Sequence, residues 1–248
     1  MLGLIGSAVG CRKDSPPITQ SPLSNYTGGG TASKFGRCGN IIFTISGANL
    51  GVYDVSNSSN PLLLGKAKLN VNPLSLYGKG DTLFVTHNAG INLYNVSNPL
   101  APVLLNAMYI GGALTQIVAG KDYAFVSMHT VDKYDQYGTL VANEGLNQVW
   151  ALDISNLSKM TVANKYHLGY PIGISLSNNY LYVCDSGMKV LDLSTMPYIT
   201  LKTKFKLKSN PDHVISYGNS NILLSAPDGI YQYHYDQDTT LSLLSKIK

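Results

Sequence analysis

One phrase recurs along this chain at intervals of roughly 40 residues, and this repeat limits the folds that the chain can adopt. Each copy is an alternating apolar stretch, and four of the five copies end in an acid or Asn, an aliphatic residue and Ser. The copies are residues 50–56, 91–97, 149–155, 188–194 and, in a degenerate form, 230–236. A unit this short cannot bury both of its faces alone, so the copies must pack on one another.

Each copy belongs to a larger unit of four short strands. Two apolar runs precede the copy and another follows it, separated by turn residues, and no stretch shows helical periodicity. The sequence therefore predicts an all-β fold, a β-propeller of about five four-stranded blades. A six-bladed ring with one irregular blade, partly built by the segment before residue 31, is the alternative.

The fourth copy and the strand before it, residues 180–194, read YLYVCDSGMKVLDLS. This phrase resembles the LVIVD repeat of bacterial surface propellers. The alternation, the turn glycine and the Asp-aliphatic-Ser ending recur in register over residues 31–248, although residues 130–145 interrupt the third copy. The resemblance implies a propeller in an extracytoplasmic setting, and it brings no activity and no site residues with it.

The N-terminal segment carries a second resemblance. Residues 1–9 are an apolar run rich in small residues, and the sequence Ala-Val-Gly before Cys11 resembles the lipobox of bacterial lipoproteins. The resemblance implies that residues 1–11 are a lipoprotein signal segment and that Cys11 carries the lipid. Residues 12–30, rich in Pro and Gly, are interpreted as a flexible tether to a propeller at 31–248. An apolar terminus with an incidental cysteine is the alternative.

The charge of the chain argues against a nucleic-acid partner. The formal net charge is +4, from 18 Lys and Arg against 14 Asp and Glu, and four lysines between residues 202 and 208 account for it. These lysines alternate along a predicted outermost strand, where they discourage strand addition; a patch for a membrane or a polyanion is the alternative. No basic face with stacking aromatic residues accompanies them, so no nucleic-acid binding is expected.

The repeated acids are interpreted as turn residues. Asp54, Asp153 and Asp192 share their place with Asn95, and a short Asx side chain followed by Ser satisfies the backbone amides of a turn. Cys38 and Cys184 lack metal-ligand spacing and fall in blades one and four, so we expect two buried free thiols, no metal site and no cofactor.

The candidate site follows from the fold. In propellers the loops after each second strand and those that enter each new blade surround one end of the central channel, where ligands usually bind. Besides Asn72 and the insertion at 130–145, the candidate binding residues are His87, Asn88, His129, Tyr170, Asp185, Asp212, His213 and Asp228.

No catalytic motif is present, so the leading hypothesis is a non-enzymatic binding or scaffolding module. An envelope protein or a carbohydrate is its expected ligand, the membrane is reached through the lipid anchor, and the outer membrane or cell surface is its expected location. The alternative is an extracytoplasmic glycan hydrolase or lyase with His87, His129, Asp185, His213 and Asp228 around the channel. An enzyme should hold at least two titratable groups in a deep pocket, and a scaffold should show a shallow face.

Overall fold

The computed structural model describes part of the chain, and within that part every regular element is a strand. The described residues are 34–110, 114–129, 133–134, 140–142, 146–218, 220–236 and 238–247. The expected signal segment with Cys11, the tether and most of the insertion lie outside them.

Five four-stranded antiparallel sheets form the blades of a propeller, which confirms the predicted fold class. Blade 1 contains β1 (Phe35–Cys38), β2 (Ile41–Ser46), β3 (Asn49–Asp54) and β4 (Leu62–Lys68). Blade 2 contains β5 (Ser75–Lys79), β6 (Thr82–His87), β7 (Gly90–Asn95) and β8 (Val103–Tyr109). Blade 3 contains β9 (Leu114–Ala119), β10 (Tyr123–Met128), β13 (Gln148–Asp153) and β14 (Thr161–His167).

Blade 4 contains β15 (Ile174–Ser177), β16 (Tyr180–Cys184), β17 (Met188–Asp192) and β18 (Thr200–Phe205). Blade 5 contains β19 (His213–Tyr217), β20 (Asn221–Ala226), β21 (Gly229–Tyr235) and β22 (Leu241–Ile247). Within the insertion, β11 (Lys133–Tyr134) and β12 (Leu140–Ala142) pair as a separate two-stranded sheet.

Sequence patterning explains the order of strands within a blade. A second strand lies between two neighbouring blades, so both of its faces are covered and it is a nearly continuous apolar run, as in β10. An outermost strand lies at the rim of the propeller, and every residue of β8 is partly or fully exposed. The predicted position of the lysine strand is confirmed for Lys202 and Lys204, which lie in outermost β18, whereas Lys206 and Lys208 follow its end.

The repeated acids form turns, as predicted from the sequence. The carboxylate of Asp153 accepts hydrogen bonds from the backbone N–H of Ser155 at 2.9 Å and from its hydroxyl at 2.6 Å. Asn95 makes the same two contacts with Ser97. These bonds fix the turn that leaves each third strand, which explains why Asn and Asp are interchangeable there.

A β-bulge occurs at the same repeat position in all five blades. The register between the third and fourth strands shifts directly after Val52, Leu93, Ala151, Val190 and Gln232. A bulge adds twist to the strand that carries it. The repeat therefore encodes a local distortion of the sheet as well as its strands.

Neighbouring blades pack through their innermost strands at four junctions, β1 with β5, β5 with β9, β9 with β15, and β15 with β19. Apolar clusters fill these junctions, and equivalent aromatic residues of the second strands lie within them: Phe43, Phe84, Phe125 and Tyr182. Buried polar side chains connect the blades further. Gln116 accepts a hydrogen bond from the N–H of Ile174 at 2.7 Å, and the hydroxyls of Ser175 and Ser216 lie 2.8 Å apart.

The fifth junction differs. Among the described residues, β1 and β19 show no packing comparable to that of the other innermost strands, and no apolar cluster joins blade 1 to blade 5. We use the term seam for the two faces concerned, the face of blade 1 that carries Ile42 and Thr44 and the face of blade 5 that carries Leu223 and Gln232.

Candidate functional site

The eight candidate residues all lie at one end of the sheets. Because the strands of a blade are antiparallel and consecutive, the links from second to third strand and from one blade to the next share that end. These links hold His87 and Asn88 after β6, His129 after β10, Tyr170 before β15, Asp185 after β16, Asp212 and His213 before and at the start of β19, and Asp228 after β20.

Asp185 is the most buried of these side chains, and its carboxylate holds two loops together. Its oxygens accept hydrogen bonds from the backbone N–H groups of Gly169 at 3.0 Å and Tyr170 at 2.7 Å, and from the ammonium group of Lys189. Burial raises the pKa of Asp185, but these three donors lower it more, so that the pKa lies below its ordinary value. Asp185 is thus an ionised residue that fixes the link between blades 3 and 4.

His129 contacts Tyr170, whose backbone N–H donates to Asp185. Their ring centroids lie 4.4 Å apart with the planes tilted by 57°, and burial lowers the pKa of His129. Within the described residues, the buried Nδ1 atom of His129 has no hydrogen-bond partner. The structure therefore brings three of the predicted site residues together, His129, Tyr170 and Asp185, next to the point where the insertion leaves blade 3.

His87 belongs to a second polar group, between blades 1 and 2. Its Nδ1 accepts from the N–H of Ala89 at 3.3 Å, which assigns the proton to Nε2 and makes that atom the donor to Asn92 Oδ1 at 3.1 Å. Asn92 donates to the hydroxyl of Tyr94 at 3.1 Å, and that hydroxyl donates to Asn70. The imidazole is thus part of a hydrogen-bonded chain that anchors the loop between blades 1 and 2.

Asp212 and His213 form a pair, and Asp228 forms a group with Lys246 and Tyr231. Asp212 Oδ1 lies 2.8 Å from His213 Nδ1, at an angle that does not make a hydrogen bond. Asp228 accepts hydrogen bonds from Lys246 at 2.7 Å and from the hydroxyl of Tyr231 at 2.5 Å, and these contacts hold its pKa well below the ordinary range. In the described part of the chain, no hydrogen bond, ion pair or ring contact joins Asp212, His213 or Asp228 to His87 or His129.

A shallow depression lies beside Asp228, between blade 5 and the link that precedes it. Its lining residues are Leu207, Lys208, Ser209, Pro211, Leu224, Ala226, Tyr231 and Tyr233. The two tyrosine rings stack 6.1 Å apart, and Lys246 lies 4.5 Å from the ring centroid of Tyr231. The empty volume of about 200 Å³ includes open solvent, so the depression is too small to enclose a sugar ring.

The carboxylates at this end of the propeller are already paired with other side chains, which limits the acid–base chemistry they can perform. The carboxylates of Asp185 and Asp228 each accept hydrogen bonds from a lysine and from other donors, and Asp212 lies at ion-pair distance from His213. Over the ranges that the structure describes, no group of three or more His, Cys, Asp or Glu side chains could hold a metal ion. This arrangement favours a shaped polar surface over a set of acid and base groups.

Several residues that organise this end were missed by sequence reasoning. Lys189 follows Asp185 by four positions across a tight hairpin, which is a local signal that could have been found. Lys246 meets Asp228 only because β22 pairs with β21 in a particular register. Asn92 and Tyr94 lie inside a strand and carry no motif, so nothing in the sequence indicated their role.

The two cysteines of the folded part are buried and free, as expected. Burial raises the pKa of Cys38 to about 12, and it also raises that of Cys184. Neither thiol is therefore a nucleophile at neutral pH. Among the described residues there is also no helix that could span a membrane.

Comparison with known families identifies the repeat. A family model of the LVIVD repeat matches residues 43–68, 142–167 and 169–206, which fall in blades 1, 3 and 4. The chain therefore contains LVIVD repeats, as predicted, and blades 2 and 5 have the same strand order outside the matched segments. No curated protein matches the sequence.

Solved structures with a similar fold come from proteins of distant sequence. BamB from Moraxella catarrhalis is 13% identical with a TM-score of 0.52, over 88% of this chain and 61% of that one. The periplasmic gluconolactonase PpgL of Pseudomonas aeruginosa is 12% identical with a TM-score of 0.54, over 87% and 85%. A protein from Lactobacillus plantarum is 16% identical with a TM-score of 0.59, over 88% and 65%.

These likenesses concern the fold alone, because every identity is low. The chain also spans only 61% to 65% of the length of several of the similar proteins, among them the N-terminal domain of Nup159 and a protein from Desulfotomaculum acetoxidans.

Proposed function

We propose that this LVIVD-repeat propeller is a non-enzymatic binding or scaffolding module of a bacterial cell envelope, held at the membrane by a lipid on Cys11. Its ligand is an envelope protein or a carbohydrate, bound at the end of the propeller that carries Asn88 and Tyr170.

The observation that carries this proposal is the engagement of the carboxylates at that end. Asp185 and Asp228 hold loops in place, which makes the surface rigid before any ligand arrives. A preorganised surface loses less conformational freedom on binding, which favours affinity. An acid or base catalyst instead needs a group that can exchange its proton with a substrate.

The anchor is supported by the lipobox-like sequence before Cys11. Two acyl chains on a cysteine would give stable membrane attachment, since one chain alone binds only marginally.

The anchor is tested in bacteria grown with an alkyne analogue of palmitate. We expect the full chain to incorporate the label and to sediment with membranes, and we expect Cys11→Ser to lose both properties. Cys38→Ser is the matched control, because that thiol is buried in blade 1, and it should keep the label. Equal labelling of the Cys11→Ser variant would contradict lipidation at Cys11.

The binding face is tested with a photo-crosslinking amino acid placed at Asn88 or Tyr170, with Asn57 at the opposite end as control. Irradiation of intact cells should attach a discrete envelope component at the first two positions and not at Asn57. Identical products at all three positions would contradict the proposal that the ligand binds at the end that carries Asn88 and Tyr170. Release of new reducing ends from purified envelope polysaccharide by the unmodified protein would instead support the hydrolase or lyase.

A further inference from the structure

The seam exposes positions that are fully buried everywhere else in the propeller. In the second strands, the residues that face the following blade are Phe43, Phe84, Phe125 and Tyr182, each at most 2% exposed, whereas the equivalent Leu223 of blade 5 is partly exposed. In the third strands, the equivalent residues Val52, Leu93, Ala151 and Val190 are completely buried, whereas Gln232 is not.

In blade 1, the second-strand residues on the face that borders the seam are more exposed than their equivalents in the other blades. Ile42 and Thr44 are partly exposed, and their equivalents in the other four blades are at most 1% exposed: Leu83 and Val85, Ala124 and Val126, Leu181 and Val183, and Ile222 and Leu224. On each side of the seam, an apolar residue and a polar residue, Ile42 with Thr44 and Leu223 with Gln232, are thus left incompletely covered by the described residues.

The described residues of the seam are mixed in character: Ile42 and Leu223 are apolar, Thr44 and Gln232 are polar, and the exposed Arg37 pairs with Ile42 on the same face. The register of blade 5 places Ile215, Leu223 and Gln232 side by side, and Ile230 is 46% exposed on the same face. A segment that covers such faces should be uncharged and should carry a few apolar residues among small polar ones.

The stretch of this chain directly before blade 1 has that composition. Residues 15–33 contain no Asp, Glu, Lys or Arg, although such residues form 13% of the chain, and they include Ile18, Leu23 and Tyr26 among Ser, Thr, Asn and Gly. We propose that residues 15–33 pack into the seam and join blade 5 to blade 1.

The position of Lys34 supports this assignment. Its carbonyl accepts a hydrogen bond from the N–H of Ile45 at 2.8 Å, which extends the pairing of β1 with β2 by one residue. The chain therefore enters blade 1 at the innermost strand, beside the seam. Nineteen extended residues span on the order of 60 Å, and a four-stranded blade is only about 20 Å wide, so the segment is long enough to cross it more than once.

The proposal is tested by thiol labelling of the full chain carrying Cys11→Ser, with Gln232→Cys in the seam. Lys121→Cys, in the exposed turn between β9 and β10, is the matched control, and the buried Cys38 and Cys184 are present in both. We expect Gln232→Cys to react with a maleimide at least about ten-fold more slowly than Lys121→Cys, since labelling requires the segment to open locally. Replacing Ile18, Leu23 and Tyr26 together by Ser should bring the two rates close together.

Three results would overturn the proposal. The first is equal labelling of both thiols in the parent, which means an open seam. The second is protection that survives the triple substitution but weakens on dilution, which identifies a second copy of the chain as the cover. The third is protection that neither change affects, which means that blades 1 and 5 cover one another.

A second measurement does not depend on the folding of the triple variant. A photo-crosslinking amino acid at Tyr26 should form intramolecular products with peptides of blade 1 or blade 5, and the same amino acid at Asn156, in an exposed turn of blade 3, should not. Products of Tyr26 spread over all blades, or none at all, would also contradict the packing. The inference does not rest on the proposed function, because it concerns neither lipidation nor a ligand.

Discussion

At the scale of single residues, the position of an acid in the fold decides its role. Asp153 and Asp185 are both near a strand end, yet Asp153 is a partly exposed turn residue and Asp185 is buried with a lysine and two backbone donors. At the repeat position of Asp153, blade 2 has Asn95, and the turn is kept. No such replacement is available for a carboxylate that must balance a lysine.

We expect Asp185→Asn to destabilise the protein by on the order of 2 kcal/mol at neutral pH, because the charge-assisted hydrogen bonds are lost. The pKa of Asp185 is lower in the folded than in the unfolded chain, so its stabilisation is present above pH of about 4 and is lost as the pH falls through the folded-state pKa. Urea unfolding of both proteins from pH 3 to pH 7 measures this, and the two curves should converge toward acid.

Asp153→Asn is the control for this experiment, and its urea midpoint should equal that of the parent. A loss of stability in Asp153→Asn as large as that in Asp185→Asn would mean that the two acids do not differ as argued.

The sequence placed Asp185 at the correct end of the molecule but gave no indication of its partners. Gly169 and Tyr170 belong to the link from blade 3, and their contact with Asp185 depends on how two blades pack. Turn residues such as Asp54 could be predicted because their partner Ser56 is two positions away. Local contacts can be read from spacing, whereas contacts between blades cannot.

At the scale of elements, β18 shows how an outer edge is kept from pairing with other chains. Lys202 and Lys204 are exposed along it, and the ion pair of Lys202 with Asp238, at 3.8 Å, is too exposed to contribute much. Charged side chains on an edge strand oppose the addition of another strand.

Replacing Lys202 and Lys204 by Thr should therefore promote self-association, because Thr favours strands and removes the repulsion. Size-exclusion chromatography with light scattering measures the mass over a range of protein concentrations. Lys121→Thr with Lys159→Thr makes the same change of charge in exposed turns, and that protein should remain at the mass of the parent. Association of both variants would show that net charge, rather than the edge, is responsible.

The strand order within each blade could be predicted because hydrophobic alternation and turn residues are local signals. The recurring bulge could not be predicted, since no single residue type precedes the register shift in all five blades. A bulge depends on the pairing of two strands and is absent from the pattern of either one.

At the scale of the whole molecule, stability is distributed over the junctions between blades. Leu181 is completely buried between blades 3 and 4, whereas Leu223 lies at the seam and is partly exposed. The number of blades could be predicted from the number of repeats, but the unequal junctions could not, because the repeat is nearly the same at each of them.

We expect Leu181→Ala to cost about 2–5 kcal/mol and Leu223→Ala less, because the blades packed around Leu181 leave a closed cavity, whereas a single segment that covers the seam can settle into the space left at Leu223. The same residue type is truncated at both sites, so chemical unfolding compares the junctions directly. Equal losses would mean that the fifth junction is as tightly packed as the others.

The strictly consecutive order of strands has a consequence for how such a gene can change. In the described part of the chain, each blade is built from one stretch of sequence, and no strand is exchanged between blades. The small β11–β12 sheet is inserted within the stretch that forms blade 3. Duplication or deletion of one repeat would therefore add or remove a complete sheet and leave the others intact. The number of blades in such propellers can therefore change by single genetic events. Only the two blades that meet at the new junction need to adapt.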